Sequence, residues 1–145
     1  MSNDVRRPKQ FEEMLKKLCQ EENRIFATYK EALVFAACLG CQEGRRVAFD
    51  KSSEPIRLDI FRGDYDETIL RCIGLVETRD PNIMGAARQE ECLRIFEEYA
   101  CGGLEILEAE VYHAPGEWDQ HLLRLVVKQA RTDNSVLDDI TQAFN

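Results

Sequence analysis

The side chains here with the means to do chemistry are six cysteines, two histidines and several runs of neighbouring acids. Cys38-x-x-Cys41 has the spacing of a metal or redox pair. A zinc site needs a second Cys or His pair at matching distance, and none follows. A thioredoxin-type motif needs a strand-turn-helix setting, and the flanking pattern is helical on the near side. Cys38 and Cys41 therefore read as one core and one cap residue. Cys19, Cys72 and Cys92 also lie in apolar helical patterns, where a free thiol packs as a small hydrophobe. The expectation is six reduced thiols, no disulfide and no zinc. His113 and His121 share a face only if a helix runs unbroken through Pro115-Gly116, which proline disfavours. The acid pairs Glu12-Glu13, Glu21-Glu22, Glu90-Glu91, Glu97-Glu98 and Asp138-Asp139 fall on neighbouring helical positions. Such positions point about 100° apart, so they do not form a two-metal site alone. Asp64-x-Asp66-Glu67 has the flavour of a calcium loop, but the glycine and terminal glutamate of that loop are misplaced, and helix capping is the better reading. A phosphate loop ending in Lys-Ser/Thr and a Gly-x-Ser-x-Gly elbow are both lacking. The sequence offers no catalytic residues, no metal site and no cofactor, and reads as a non-enzyme.

Two basic clusters are left. Arg6-Arg7-x-Lys9 lies near the start, and Arg45-Arg46 with Lys51 follows an apolar run. Guanidinium forks suit phosphate or carboxylate, and Ser52 and Ser53 can add hydroxyl donors. Arg6, Arg7, Lys9, Arg45, Arg46 and Lys51 are thus the candidate partner- or nucleic-acid-binding residues. Three uses stay open: contact with DNA, contact with an acidic protein surface, or internal salt bridging.

These clusters must be positioned by helices. Residues 1–6 look like a flexible tail, and Pro8 suits a first helical turn. Phe11, Leu15, Leu18 and Cys19 give an amphipathic helix ending near Cys19. Thr28 with Glu31 forms a capping-box pattern, and the apolar run Leu33 to Leu39 predicts a helix buried on every face. Gly40 is expected to end it. Residues 47–49 and 56–60 alternate in apolarity around a DKSSEP turn, as a small hairpin or two irregular extended pieces. Asp64 or Asp66 caps the next helix, whose apolar face includes Ile69, Leu70, Ile73, Leu75 and Val76, with Gly74 allowing close packing. Asp80-Pro81-Asn82 is a turn. A further helix from about Ala87 is expected to stop at Gly102-Gly103, and another to run from Leu104 to Pro115-Gly116. Trp118 to Ala130 forms a helix, and a loop at residues 132–135 precedes a short final one. The core is expected to centre on Leu33, Phe35, Ala36, Leu39, Leu70, Ile73, Leu93, Phe96 and Leu107. A Phe35→Ala change costs ~3–5 kcal/mol if its ring is fully buried.

The fold class is therefore mainly α. The expected form is a compact single-domain multi-helix bundle over residues 1–145, with a small β-hairpin around residues 46–61. Residues 116–145 would be a variable C-terminal extension. Apolar content of 44% and charged content of 32% suit a globular chain. Absence of a long apolar run or a secretory leader gives a cytoplasmic expectation and no membrane partner. The net charge is −8, but it is uneven. Residues 1–62 hold twelve Lys/Arg against ten Asp/Glu, and residues 63–145 hold seven against seventeen. Between Arg94 and Arg124 there are seven acids and no Lys or Arg. That half repels nucleic acid, so any DNA contact belongs to the N-terminal half.

The blocks RRPKQFEEML, TYKEALVFAACLGCQEGRR, KSSEPI and EEYACGGLEIL together resemble the DNA phosphorothioation (Dnd) system-associated protein 4 family. An Arg-x-Pro-Lys start corresponds to Arg7 to Lys9. A hydrophobic helix with Leu-Gly and a basic exit matches Ala32 to Arg46. Glu98 to Gly103 matches a Glu-Tyr-Ala-x-Gly-Gly block. The resemblance covers roughly residues 6–110 and is weaker after Pro115. It implies a role in bacterial defence linked to sulfur-modified DNA backbones, as an accessory protein binding a larger partner such as an ATPase or nuclease. It implies no catalytic residue.

Overall fold

The computed structural model describes the backbone of residues 3–63 and 65–143, with side chains up to residue 130. Among these residues the chain is mainly α-helical. It comprises β1 (Asp4–Pro8), α1 (Glu12–Gln20), α2 (Tyr29–Gln42), β2 (Ser52–Arg57), α3 (Asp66–Thr78), α4 (Gln89–Leu107) and α5 (Trp118–Ala143). Short 3-10 turns link them, and one π-helical turn, Glu108–Tyr112, extends α4.

The centre is the crossing of α2 and α4. Small residues on both helices let the backbones touch. A Cβ placed on Gly103 would lie 1.7 Å from the Ala36 carbonyl oxygen, and one on Gly40 would lie 2.1 Å from that of Tyr99. Only glycine tolerates such an approach, because any side chain would overlap the opposing main chain. Ala32, Leu33, Ala36, Ala37 and Leu39 of α2 are buried there with Phe96, Ala100, Leu104 and Leu107 of α4. α3 also closes on α4 through a glycine, here against a side chain, since a Cβ on Gly74 would meet Cys92 Sγ at 2.7 Å.

Several boundaries differ from those the sequence predicts. Gly102-Gly103 does not stop a helix; α4 passes through both glycines, and the segment after Leu104 continues it. Gly40 is likewise interior to α2. The stop comes at Gly44, whose φ of +66° lies in the left-handed region. Arg45 N–H then donates to the Gly40 carbonyl at 2.8 Å, the six-to-one bond of a Schellman ending. The capping box at the other end forms: Thr28 Oγ accepts from Glu31 N–H at 3.1 Å, and Glu31 Oε2 accepts from Ala27 N–H at 3.1 Å. α2 is not buried on every face. Cys38 is exposed and Phe35 only half-buried, so the full-burial cost does not apply to Phe35. The other named core residues are buried.

The N-terminus is not a flexible tail from residue 4 onward. Asp4–Pro8 is a strand, and Val5 is wholly buried. Pro8 ends this strand instead of opening a helix. The hairpin expected around residues 46–61 is replaced by a longer-range pair. β1 and β2 run antiparallel, with Val5 opposite Ile56, Arg7 opposite Ser53 and a bulge between. Residues 47–49 are not a strand. α3 begins at Asp66 without a side-chain cap; the residue before it, Tyr65, is left-handed at φ 53°, and Asp64 lies outside the described residues. The loop expected at residues 132–135 is absent, because α5 is continuous to Ala143.

The expected outcome of Gly103→Ala is a loss of roughly 2–3 kcal/mol or more, since the added methyl meets backbone that no rotamer change can move. A thermal melt of the variant against the parent checks this. An unchanged melt would show that α2 and α4 are further apart than described.

Candidate binding surface

α4 presents its acids to the two basic clusters. Glu97 and Glu98 are neighbours, so they point to different sides of the helix. Glu97 is buried and takes β1: Arg6 N–H donates to Oε2 at 2.8 Å and Arg6 Nε to Oε1 at 2.9 Å. Glu98 takes the segment after α2: Arg46 Nε donates to Oε1 at 2.7 Å. Arg46 Nη1 also stands 3.7 Å from Glu77 Oε2 on α3. Two turns on, Glu105 pairs with Arg45 Nη2 at 3.2 Å. Main chain reinforces these pairs. Val47 N–H donates to the Glu98 carbonyl at 3.0 Å. A Cβ on Gly102 would sit 1.8 Å from the Arg45 carbonyl oxygen, so that glycine seats the basic exit on the helix.

Arg7 turns inward and is buried. Its Nε donates to the Glu54 carbonyl at 2.8 Å, and its guanidinium lies 4.4 Å from the Tyr29 ring centroid. Arg7 N–H also donates to Ser52 Oγ at 3.1 Å, and Ser52 Oγ in turn donates to the Ser53 carbonyl. Ser53 is buried. The two serines therefore do not present hydroxyls to a ligand alongside the cations.

Lys9 and Lys51 behave differently. They meet where β1 ends and β2 is about to start, with Lys9 N–H donating to the Lys51 carbonyl at 2.9 Å. Both side chains are exposed, and neither has an ion pair among the described residues. With Gln10, Phe49 and Asp50 they line a cleft of about 440 Å³. The Arg6 guanidinium stacks 4.6 Å from the Phe49 centroid and holds that ring in place. Of the six basic residues singled out in the sequence, Arg6, Arg7, Arg45 and Arg46 are engaged inside the molecule. Lys9 and Lys51 point to solvent. Phe49 and Gln10 were missed by sequence reasoning, because neither belongs to a charge cluster. Two of the acids that hold the arginines, Glu97 and Glu98, stand in the sequence as the Glu-Glu pair ahead of the Gly-Gly block, whereas Glu105, which holds Arg45, lies beyond it.

The remaining reactive groups are occupied or quiet. All six cysteines are free thiols. Burial pushes Cys19 and Cys101 up to about 11, so both stay protonated near neutral pH. His121 Nε2 lies 2.6 Å from the Pro115 carbonyl, and His113 packs on Tyr112. Asp66 pairs with Lys30 at 2.8 Å and Glu67 with Arg71 at 3.0 Å, which gives both a structural role. Among the described residues no group of three or more His, Cys, Asp or Glu is placed to hold a metal. None of the described helices is long and apolar enough to cross a membrane.

Glu97 carries a pH dependence. Burial, the largest influence, holds its carboxyl above the ordinary 4.5, while the donated bonds from Arg6 pull the other way without cancelling it. A carboxyl raised in the folded state binds its proton more tightly there than when unfolded. Its contribution to stability is therefore full below pH 4.5 and lost as pH rises through the higher folded value. Glu97→Gln should flatten that part of the stability profile. Urea unfolding of parent and variant at a series of pH values checks it, and parallel profiles would refute the assignment.

The family model described as DNA sulphur modification system-associated protein 4 aligns with residues 4–143. It thus includes α5, which the motifs of the resemblance do not reach. No curated protein and no solved structure matches the chain. With nearly the whole chain matched, from β1 to the end of α5, the protein belongs to the DNA sulphur modification system-associated protein 4 family.

Proposed function

We propose that this protein is a non-enzymatic accessory subunit of a bacterial defence or restriction system linked to DNA sulphur modification. It works by binding a larger protein of the same system, an ATPase or a nuclease. The observation that carries this reading is the Lys9–Phe49–Lys51 cleft. Two lysines without ion pairs flank an aromatic ring on a chain whose net charge is −8. Each lysine offers a compact, mobile charge to a carboxylate. Phe49 adds an apolar contact of the kind that anchors interfaces. Arg6 behind it keeps the ring oriented, while Arg7, Arg45 and Arg46 stiffen the strand and the segment that carry the lysines.

DNA is the second reading. An aromatic ring between two cations also suits a base face next to a phosphate. The acidic second half of the chain argues against duplex binding without a partner, because it repels the same phosphates.

The test is gel filtration of the protein with the products of neighbouring genes. Comigration with one larger protein is expected. The double change Lys9→Glu and Lys51→Glu should abolish it, with the melting temperature within a few degrees of the parent, since exposed charges contribute only ~0–1 kcal/mol each. Loss of duplex DNA affinity in the same variant, falling steeply with salt in the parent, would favour the second reading. A variant that comigrates like the parent would remove the cleft from either one.

A further inference from the structure

α3 packs one face and leaves the other bare. Leu70, Ile73 and Gly74 are buried against the body. Val76, which the spacing assigns to the apolar face, turns the other way and is 63% exposed. Cys72, one turn before it, is exposed as well, and Ile69 lies half-buried a turn earlier. Steps of three and four residues put these side chains in one stripe along the outer face.

The stripe ends in strained backbone. Among the described residues, Tyr65 and Arg79 are the two positions other than glycine with positive φ, at 53° and 56°. They stand directly before and after α3 and continue the same steps, four residues ahead of Ile69 and three beyond Val76. Glycine takes the left-handed conformation at little cost and is the commonest residue just past a helix end. This chain instead places there a tyrosine and an arginine, two of the residue types that most often anchor protein interfaces. Tyr65 is 85% exposed. Arg79 is exposed, and its side chain has no partner among the described residues. Neither side chain works inside the molecule, and strained positions of this kind cluster at functional surfaces.

Charge selects what covers the stripe. Arg62, three residues ahead of Tyr65, pairs with Glu67 at 3.4 Å and stays exposed, so a cation stands at each end. A second copy of α3 suits this badly. Antiparallel, with Val76 level with Tyr65, the pair sets Arg79 against Arg62; parallel, it sets Arg79 against Arg79. Like charges face each other either way, which costs association.

We propose that the outer face of α3 docks an amphipathic helix of another protein, with apolar residues at three- and four-residue steps and a carboxylate level with each terminal arginine. Ile69, Cys72 and Val76 take the apolar stripe, while Tyr65 and Arg79 grip its ends. A helix advances about 21 Å from Tyr65 to Arg79, roughly four turns, which sets the length of the docked segment. This face shares no residue with the Lys9–Phe49–Lys51 cleft and does not depend on what binds there.

The probe is a synthetic helical peptide of about four turns, with leucines at those steps and Glu at both ends. A twin peptide carries Lys for each Glu. Each is titrated into the isotope-labelled full-length protein and followed by NMR. The Glu peptide should shift amide signals from Tyr65 to Arg79, leave those of Lys9 and Lys51 in place, and bind ~10-fold or more tighter than its twin. Arg79→Glu should reverse that preference, and Val76→Glu should weaken both peptides. Tyr65→Gly and Arg79→Gly give a second readout. Each should melt a few degrees above the parent, because glycine relieves the left-handed strain, and yet bind the Glu peptide less well. Lower melts in both would show that these side chains serve the fold and would overturn the proposal. So would an α3 face that does not shift, or equal affinity for the two peptides. A parent dimer in sedimentation equilibrium that Val76→Glu breaks overturns the choice of another protein over a second copy.

Discussion

Main chain meets main chain where α2 crosses α4, and this contact sets the geometry of everything else. Ala36 and Gly40 on one helix face Tyr99 and Gly103 on the other, at separations that leave no room for a Cβ on either glycine. Helix pairs usually stand 8–10 Å apart, and small residues at the crossing bring them to the near end of that range or below. The close approach brings the end of α2 down onto the flank of α4. Gly102 then accepts the Arg45 backbone, and the chain leaving α2 is laid along Glu98 and Glu105. Without the glycines the basic exit would stand off the helix and its ion pairs would open.

Charge follows from this packing. α4 acts as an acidic rail with a basic segment clipped to each side, β1 through Arg6 and the exit of α2 through Arg46. Such pairs contribute little when exposed. Here Glu97 is buried with two donors on it, and losing Arg6 would leave an uncompensated buried carboxylate, which costs more than the pair gains. The clustering of arginines thus serves architecture first, and the two lysines inherit a rigid platform.

Helix existence was legible from apolar spacing, and the Thr28 capping box was legible from local sequence, because both depend on neighbours within one turn. The dominance of helix could be anticipated for the same reason; a small antiparallel sheet was expected as well, but its pairing of β1 with β2 depends on chain far apart in sequence. What could not be read locally was tertiary in origin. Gly40, Gly102 and Gly103 have the signature of helix stops, yet each is there for an opposing backbone far away in sequence. β1 resembles a tail because its pairing partner lies beyond two helices. Phe49 carries no signal at all until Arg6 is seen stacked on it. The basic clusters themselves were legible; which cations would be consumed internally was decided by α4.

The distance along the chain between Ala36 and Gly103 has a consequence for how the protein is made. α2 is synthesised with its glycine and alanine face bare, and the helix that covers that face is completed only once residue 107 has been added. At about 5–20 residues per second, the nascent chain waits on the order of several seconds with this surface unprotected. β1 waits for β2 over an earlier and shorter interval, until residue 57 has been added. The order of the gene therefore makes this a fold that closes late, with the two blocks Ala32 to Arg46 and Glu98 to Gly103 acting as halves of one clasp.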